Sequence, residues 1–358
     1  VETRNIVVIG ASAGGVQTLK SLVRGLPASF PGTVLVVLHV PSHTPSQLQE
    51  VLSRVSSLPA TAAVDGERVK QGRIYVASSD RHLLIEKDRL RVTRGPKENR
   101  SRPAIDALFR SAAYTCGPRV IGIVLSGMLD DGTAGLWAIK DRGGLAVVQS
   151  PEEAEYPSMP QSALQYVEVD ATLPVAEMPK FLEDAISEHF VTDSQGTALE
   201  RMEIEHRVSL EGSGLHAGVM KLGPVSPNTC PECHGVLVRI CEGSITRYRC
   251  HTGHAFSLQS LLADVNDEID RTLWNAARSI EERILLLREM ADAVDSHKDR
   301  TNARRCTEQA DAAERYVEQI RKLVLSHELF ARIPSIGSPH VRVDSPGGEG
   351  GRSEASFD

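Results

Sequence analysis

Three short runs, residues 5–9, 33–38 and 120–125, are aliphatic and β-branched at nearly every position, and they constrain the fold of this chain more than any other feature. Continuous apolar runs of this length read as strands buried on both faces of a parallel sheet, rather than the alternating strands of a half-exposed one. Each run ends on a chemically distinctive loop: the first leads into Gly10-Ala11-Ser12-Ala13-Gly14-Gly15, the second stops at His39, and the third enters Ser126-Gly127-Met128-Leu129-Asp130-Asp131-Gly132. In an open α/β sheet the ligand crevice lies beyond the carboxyl ends of the strands. A serine, a histidine and an aspartate at three such ends can converge there as a nucleophile, its base and the group that orients the base.

The first loop has a competing reading, because a glycine-rich turn after a first strand also opens dinucleotide-binding domains. That fingerprint needs glycine where this chain has Ser12, and an acidic residue at the end of the second strand, where this chain has His39. Residues 10–14 instead match G-x-S-x-G, in which small neighbours allow a sharp strand-to-helix turn that exposes the serine oxygen. By spacing alone, either Asp130 or Asp131 can orient His39. The chain order Ser, His, Asp differs from the Ser, Asp, His order of α/β-hydrolases, so the scaffold is a different one.

Gly10-Ala11-Ser12-Ala13-Gly14-Gly15, Leu38-His39-Val40-Pro41, Arg102-Pro103-Ala104-Ile105-Asp106-Ala107-Leu108-Phe109, residues 126–132 and Tyr156-Pro157-Ser158-Met159-Pro160 together resemble the catalytic domain of the chemotaxis methylesterase CheB. The resemblance covers about residues 1–190. It implies hydrolysis of glutamate γ-methyl esters on chemoreceptors with release of methanol, and in some cases deamidation of receptor glutamine. Ser12 then resembles the nucleophile, His39 the general base, Asp131 rather than Asp130 the orienting aspartate, and Met128 the residue whose backbone N–H stabilises the oxyanion. Asp130 becomes a solvated loop residue or a helix cap. Ala13 departs from the threonine of many relatives. The resemblance also puts Arg102 near the substrate cleft, against the alternative of a solvated arginine on a helix opened by Pro103. His43 and His82 read as structural or solvated.

A second motif follows. Cys230-Pro231-Glu232-Cys233, then sixteen residues, then Cys250-His251-Thr252-Gly253-His254 has the spacing of a zinc ribbon, with strands at 236–240 and 245–249 bringing two knuckles together. Cys230, Cys233, Cys250 and His254 are the expected ligands of a closed structural zinc, and His251 is the competing nitrogen donor. No cofactor is expected for catalysis. Cys116, Cys241 and Cys306 read as packing residues. Arg239, Arg247 and Arg249 raise nucleic acid as a partner, which a formal charge of −7 disfavours. From residue 258, apolar positions recur at three- and four-residue steps with a break near 295–298, the pattern of an αα-hairpin.

The expected class is therefore α/β, with a doubly wound, mainly parallel sheet, a small zinc-ribbon-like module and a C-terminal α-helical hairpin. The expected boundaries are 1–190 for the methylesterase domain, 191–228 for a linker with short structure around Leu199–Leu210, 229–257 for the zinc-ribbon-like module, 258–332 for the hairpin and 333–358 for a disordered tail. The triad and the zinc shell are expected to belong to separate cores. The sequence has no apolar run near the ~18 residues of a membrane span and no leader-like start, and its six cysteines form no obvious disulfide framework, which together suit the cytoplasm. Chemotaxis relatives commonly carry an N-terminal receiver domain. This sequence opens on the first catalytic strand, so either a preceding segment is missing from it or regulation comes from elsewhere, with the zinc-ribbon-like module and the helical hairpin as the candidate, through self-association or a regulator binding the C-terminal helices. The expected function is protein-glutamate methylesterase, with a methylated chemoreceptor-like protein as partner. A serine hydrolase of another ester or amide and a signalling adaptor that keeps the fold are the alternatives.

Overall fold

In a computed structural model, the described residues are 2–44, 46–190, 199–296 and 299–326. The expected tail at 333–358, the first eight residues of the expected linker and part of the break at 295–298 lie outside them. Strands β1 (Ile6–Ala11), β2 (Thr33–Leu38), β3 (Ala60–Ala62) and β4 (Arg73–Val76) are followed by a hairpin of β5 (His82–Glu86) and β6 (Arg89–Thr93). Strands β7 (Val120–Val124), β8 (Leu145–Gln149) and β9 (Ala171–Leu173) complete a seven-stranded sheet. Its order is β9-β8-β7-β1-β2-β4-β3, and every pair is parallel.

Period-two alternation sends successive side chains of each strand to opposite faces. Val8, Leu35 and Val37 therefore pack beneath Leu108, Phe109 and Leu136 of helices α3 and α4, whereas Val7, Ile9, Val34 and Val36 pack against Leu19, Leu22, Val23 and Leu182 of α1 and α6. The helices concerned are α1 (Gly15–Gly25), α2 (Leu48–Ser53), α3 (Ile105–Cys116), α4 (Thr133–Asp141), α5 (Ser158–Tyr166) and α6 (Met178–Ser187). Both faces are covered, as the continuous apolar runs require. The direction in which strands are added reverses between β1 and β7, because β1 to β4 build outward on one side and β7 to β9 on the other. The carboxyl ends of these two neighbours are thus the topological switch point where an α/β sheet opens a crevice.

The stretch read as a linker holds a helix where short structure was expected, and that helix is buried rather than peripheral. Helices α7 (Leu199–Glu211) and α8 (Gly214–Ala217) lie within it, and Met202, Ile204, Glu205, His206 and Val208 of α7 are buried. Its polar composition misled because Glu205, His206 and Ser209 face inward to partners rather than outward to water. Strands β10 (Val225–Thr229), β11 (Val236–Glu242), β12 (Ile245–Cys250) and β13 (Ala255–Ser257) form a four-stranded antiparallel sheet in that order. The β11–β12 hairpin carries the two strands read from the sequence. Helix α9 (Leu258–Ser296) starts directly after β13, and Ser257 caps it by accepting the Ser260 N–H at 2.9 Å. Helix α10 (Arg300–Leu325) packs back along α9 through Ile284, Leu287, Ala310, Ala313 and Val317, giving the expected hairpin.

The apolar cluster around Cys230 and Cys250 is distinct from those of the parallel sheet, yet buried ion pairs join the two parts. Arg249 and Arg247 of β12 are fully buried, and Arg249 reaches into the first half of the chain: it donates to Glu98 and Glu205 at 2.9 Å each, while Arg247 donates to both Glu205 oxygens at 2.8 Å and to Glu242 at 2.7 Å. Arg110 of α3 closes the network on Glu98. These two arginines are therefore unavailable to nucleic acid, since their charge is spent on internal carboxylates.

Candidate active site

The parallel register pairs Ala11 with Leu38, so the residues just beyond each strand end, Ser12 and His39, are neighbours. The Ser12 N–H donates to the Ser126 carbonyl at 3.0 Å, and the His39 N–H to the Ala11 carbonyl at 3.1 Å, which ties all three loops together. Gly14 sits at φ 74°, a left-handed turn that a Cβ would fill with clashes, and it lets α1 begin at Gly15. The Ser12 hydroxyl lies 3.1 Å from His39 Nδ1, and His39 Nε2 lies 2.8 Å from Asp131 Oδ2. An ionised carboxylate only accepts, so the proton of a neutral ring sits on Nε2 and Nδ1 is left free to accept from serine.

Asp131 is buried, and five hydrogen bonds converge on its carboxylate. Oδ2 accepts from His39 and from the Ile105 N–H at 2.7 Å; Oδ1 accepts from Asn99 Nδ2 at 2.8 Å, the Asp106 N–H at 3.2 Å and its neighbour Gly132 N–H at 3.1 Å. Ile105 and Asp106 open α3, so the carboxylate satisfies the unpaired amides at the positive end of that helix. Burial alone would raise its pKa, but the bonds from His39, Asn99 and the helix amide hold it below the ordinary carboxylate value. Burial and the adjacent Asp131 charge push Asp106 upward instead.

Asp130 was expected to be solvated or to cap a helix, and it does neither with its side chain. It is buried and points away from His39 to accept the Ser257 hydroxyl at 2.7 Å. Burial pushes it up to about 6. Left-handed backbone at Leu129 (φ 62°) and Gly132 (φ 96°) brackets the two aspartates as the loop turns.

Ser12, His39, Asn99, Arg100, Met128 and Asp131 line a cleft of about 330 Å³. The Met128 side chain is exposed, and no hydrogen bond among the described residues engages its amide. A Cβ at Gly127 would come within 2.8 Å of the Ser12 Cβ and 2.1 Å of Met159 Sδ, so glycine there permits the close approach of the two loops. A larger cavity of about 500 Å³ lies at the seam with the second sheet, lined by Asp130, Tyr166, Ile245 and Leu258 among others, and it contains neither Ser12 nor His39.

Arg102 is turned inward, donating to Asp80 at 2.8 and 2.5 Å and to the Gly95 carbonyl at 2.7 Å. The arginine on the cleft is its neighbour Arg100, which pairs with Asp264 at 2.7 Å and with Asp267, both on α9. Helix α3 begins two residues after Pro103, at Ile105. His82 is structural, as expected: Nε2 donates to the Pro96 carbonyl at 2.9 Å and Nδ1 accepts the Ala104 N–H at 3.3 Å, while burial lowers its pKa. His43 is exposed. Asn99 also belongs to the site, and in sequence it stands out only as one of the polar residues Asn99, Arg100 and Arg102 ahead of Pro103.

Away from the cleft, one donor atom from each of Cys230, Cys233, Cys250 and His254 lies within 4.8 Å of all the others. The knuckles form as the spacing predicts: the Cys230 N–H donates to the Gly235 carbonyl at 2.8 Å, and the His254 N–H reaches Cys250 Sγ at 3.2 Å. Three thiols and one imidazole so closely grouped suit a tetrahedral metal. The His251 ring lies instead against Gly235, where an added Cβ would meet it at 2.1 Å. Cys116 is buried and Cys306 half-buried, but Cys241 is exposed on β11, so its reading as a packing residue is corrected.

The model of the CheB methylesterase family matches residues 7–182. A relative from Leptospira interrogans, named "Putative protein-glutamate methylesterase/protein-glutamine glutaminase", is 39% identical over 168 residues, which are 47% of this chain and 87% of the relative. Protein-glutamate methylesterase/protein-glutamine glutaminase 1 of Geobacter metallireducens is 36% identical over 184 residues, half of each protein at 50% and 50%. The crystal structure of the Thermotoga maritima CheB methylesterase catalytic domain aligns with 51% of this chain and 99% of its own length, at 33% identity and a TM-score of 0.49. With the Leptospira relative matched over most of its length, the chain belongs to the CheB methylesterase family.

Proposed function

We propose that this protein hydrolyses glutamate γ-methyl esters, and deamidates glutamine, on a methylated chemoreceptor-like signalling protein. The observation that carries the reading is the continuous hydrogen-bonded path from the Ser12 hydroxyl through both nitrogens of His39 to Asp131. Family membership supplies the substrate class.

In the reaction, Ser12 Oγ attacks the ester carbonyl while His39 Nδ1 takes its proton. Asp131 stabilises the resulting imidazolium and fixes the ring. The Met128 N–H, free of other acceptors and on the same cleft, donates to the tetrahedral oxyanion. Collapse of this intermediate returns the proton from His39 to the departing methoxide, so methanol leaves and an acyl-serine remains. Water, deprotonated by the same imidazole, then releases glutamate and restores Ser12. With glutamine as substrate the leaving group is ammonia.

Cys230, Cys233, Cys250 and His254 fit a structural zinc, with all four coordination positions taken by protein and none open for chemistry. Thiolate ligands need a reducing compartment, which supports a cytoplasmic location. Among the described residues no helix is long and apolar enough to cross a membrane. Methanol release from methylated receptor fragments tests the reading: wild-type protein should produce it and Ser12→Ala should not.

A further inference from the structure

Asn99 occupies a loop position at φ 46°, a left-handed conformation that asparagine adopts more readily than most side chains. Its buried amide joins two parts of the chain that are distant in sequence. Nδ2 donates to Asp131 Oδ1 and to Asp106 Oδ2, each at 2.8 Å. Oδ1 accepts the Ser257 N–H at 2.8 Å and the Ser260 hydroxyl at 3.0 Å, and the Asn99 backbone N–H donates to the Ala255 carbonyl at 2.8 Å. Two donors and two lone pairs are all in use, so the amide has one workable orientation: flipping it would set its oxygen against two carboxylates and its NH₂ against two donors.

We propose that Asn99 is a positioning residue for Asp131, and that residues 255–260 hold it in place, so that the C-terminal extension completes the hydrolytic centre. This inference rests on the esterase reading above. Ser257 acts on both sides of the same peptide. Its N–H bonds Asn99, which bonds Asp131, while its hydroxyl bonds Asp130. The loop bearing the orienting aspartate is thus clamped by the end of β13 and the first turn of α9. If the clamp loosens, Asp131 Oδ1 loses the shortest of its three hydrogen bonds, and the imidazole the carboxylate steers drifts with it. Displacements of about 1 Å at such a group lower rates by as much as ~10²-fold.

The test uses the full chain and a small activated ester such as p-nitrophenyl acetate, which is too small to depend on docking of a protein substrate. Asn99→Asp keeps the acceptor side and tolerates the left-handed backbone but replaces the donor with a third carboxylate. Ser260→Ala is the milder variant, removing one hydroxyl from the clamp. Expected are a kcat lowered by roughly 10²-fold for Asn99→Asp and by about 3- to 10-fold for Ser260→Ala, with KM within about twofold of wild type. The second readout is the far-downfield proton NMR signal of His39 Nε2–H shared with Asp131, which both variants should shift or broaden. Wild-type kcat in both folded variants would overturn the proposal, and so would a lowered kcat with the His39 signal unmoved. Ser12→Ala separates the two levels: if it retains hydrolysis, the esterase reading itself fails.

Discussion

Glu98 and Arg249 stand 151 residues apart in the sequence and 2.9 Å apart in space, both fully buried. Glu98 precedes α3 and Arg249 lies on β12, so the pair joins the catalytic sheet's surroundings to the cysteine-bearing sheet. Burial opposes ionisation of Glu98, yet Arg110 and Arg249 together hold it at about 2, below the ordinary 4.5. A depressed acid of this kind stabilises the fold above its unfolded value, and that contribution is lost as pH falls through the folded one. The contact between the two parts should therefore weaken on acidification between about pH 4.5 and about pH 2.

Arg249→Met should strip the shared charge from Glu98 and Glu205 and leave both carboxylates buried among fewer donors. A loss of roughly 3–5 kcal/mol in stability is expected, read from the urea unfolding midpoint. A midpoint equal to wild type would mean the network contributes nothing net.

Replacing Ser12 by alanine should lower ester turnover by at least ~10³-fold while leaving the fold intact, and His39→Ala should match it. The Ser12 turn already has small residues on both sides, Ala11 and Ala13, so the substitution adds no bulk. Circular dichroism alongside the rate measurement separates loss of chemistry from loss of fold.

The two aspartates should behave differently. Asp131→Asn should cripple turnover by favouring the wrong His39 tautomer. Asp130→Asn should leave the His39 relay in place and change stability instead. Asp130 is raised to about 6 from 3.8, so its ionisation is unfavourable in the folded state. That penalty is absent at low pH, grows between the two values and is complete above the folded one. The variant should thus gain on wild type by roughly 2–3 kcal/mol as pH rises from about 4 to about 7. Equal pH dependence of unfolding in both proteins would refute this.

Removing the metal should reach the hydrolytic cleft. Cys250→Ser, or a strong chelator, should release about one equivalent of zinc and loosen β12, whose partner strand β13 carries the Ala255 and Ser257 contacts to Asn99. Elemental analysis and the small-ester rate should fall together. A metal-depleted protein with an undiminished rate would show the two sites to be independent, as the sequence alone suggested.

The parallel sheet and the residues of the cleft were legible because their signals are local. An apolar run followed by Ser12, His39 or Asp131 carries both the strand and the chemistry at its end, and Cys230 to His254 carry their own spacing. What stayed hidden depended on contacts between segments 42 to 151 residues apart. Arg247, Arg249 and Glu205 look like solvated charges in sequence, because nothing local distinguishes a buried ion pair from an exposed one. Asp130 and Asp131 share every local property except the direction that a left-handed turn imposes on them. Arg100 and Arg102 likewise differ only in which one the loop turns toward the cleft.

The CheB methylesterase family model matches residues 7–182, yet Glu98, Arg110 and Asn99 inside that span also take partners beyond residue 200. The span that the family model recognises is therefore not closed in its interior contacts. A fragment ending at residue 182 would leave Glu98 without Arg249, Arg110 without Glu205 and the Asn99 amide oxygen without either of its donors, so an acid, a base and an amide would each lose a counterpart.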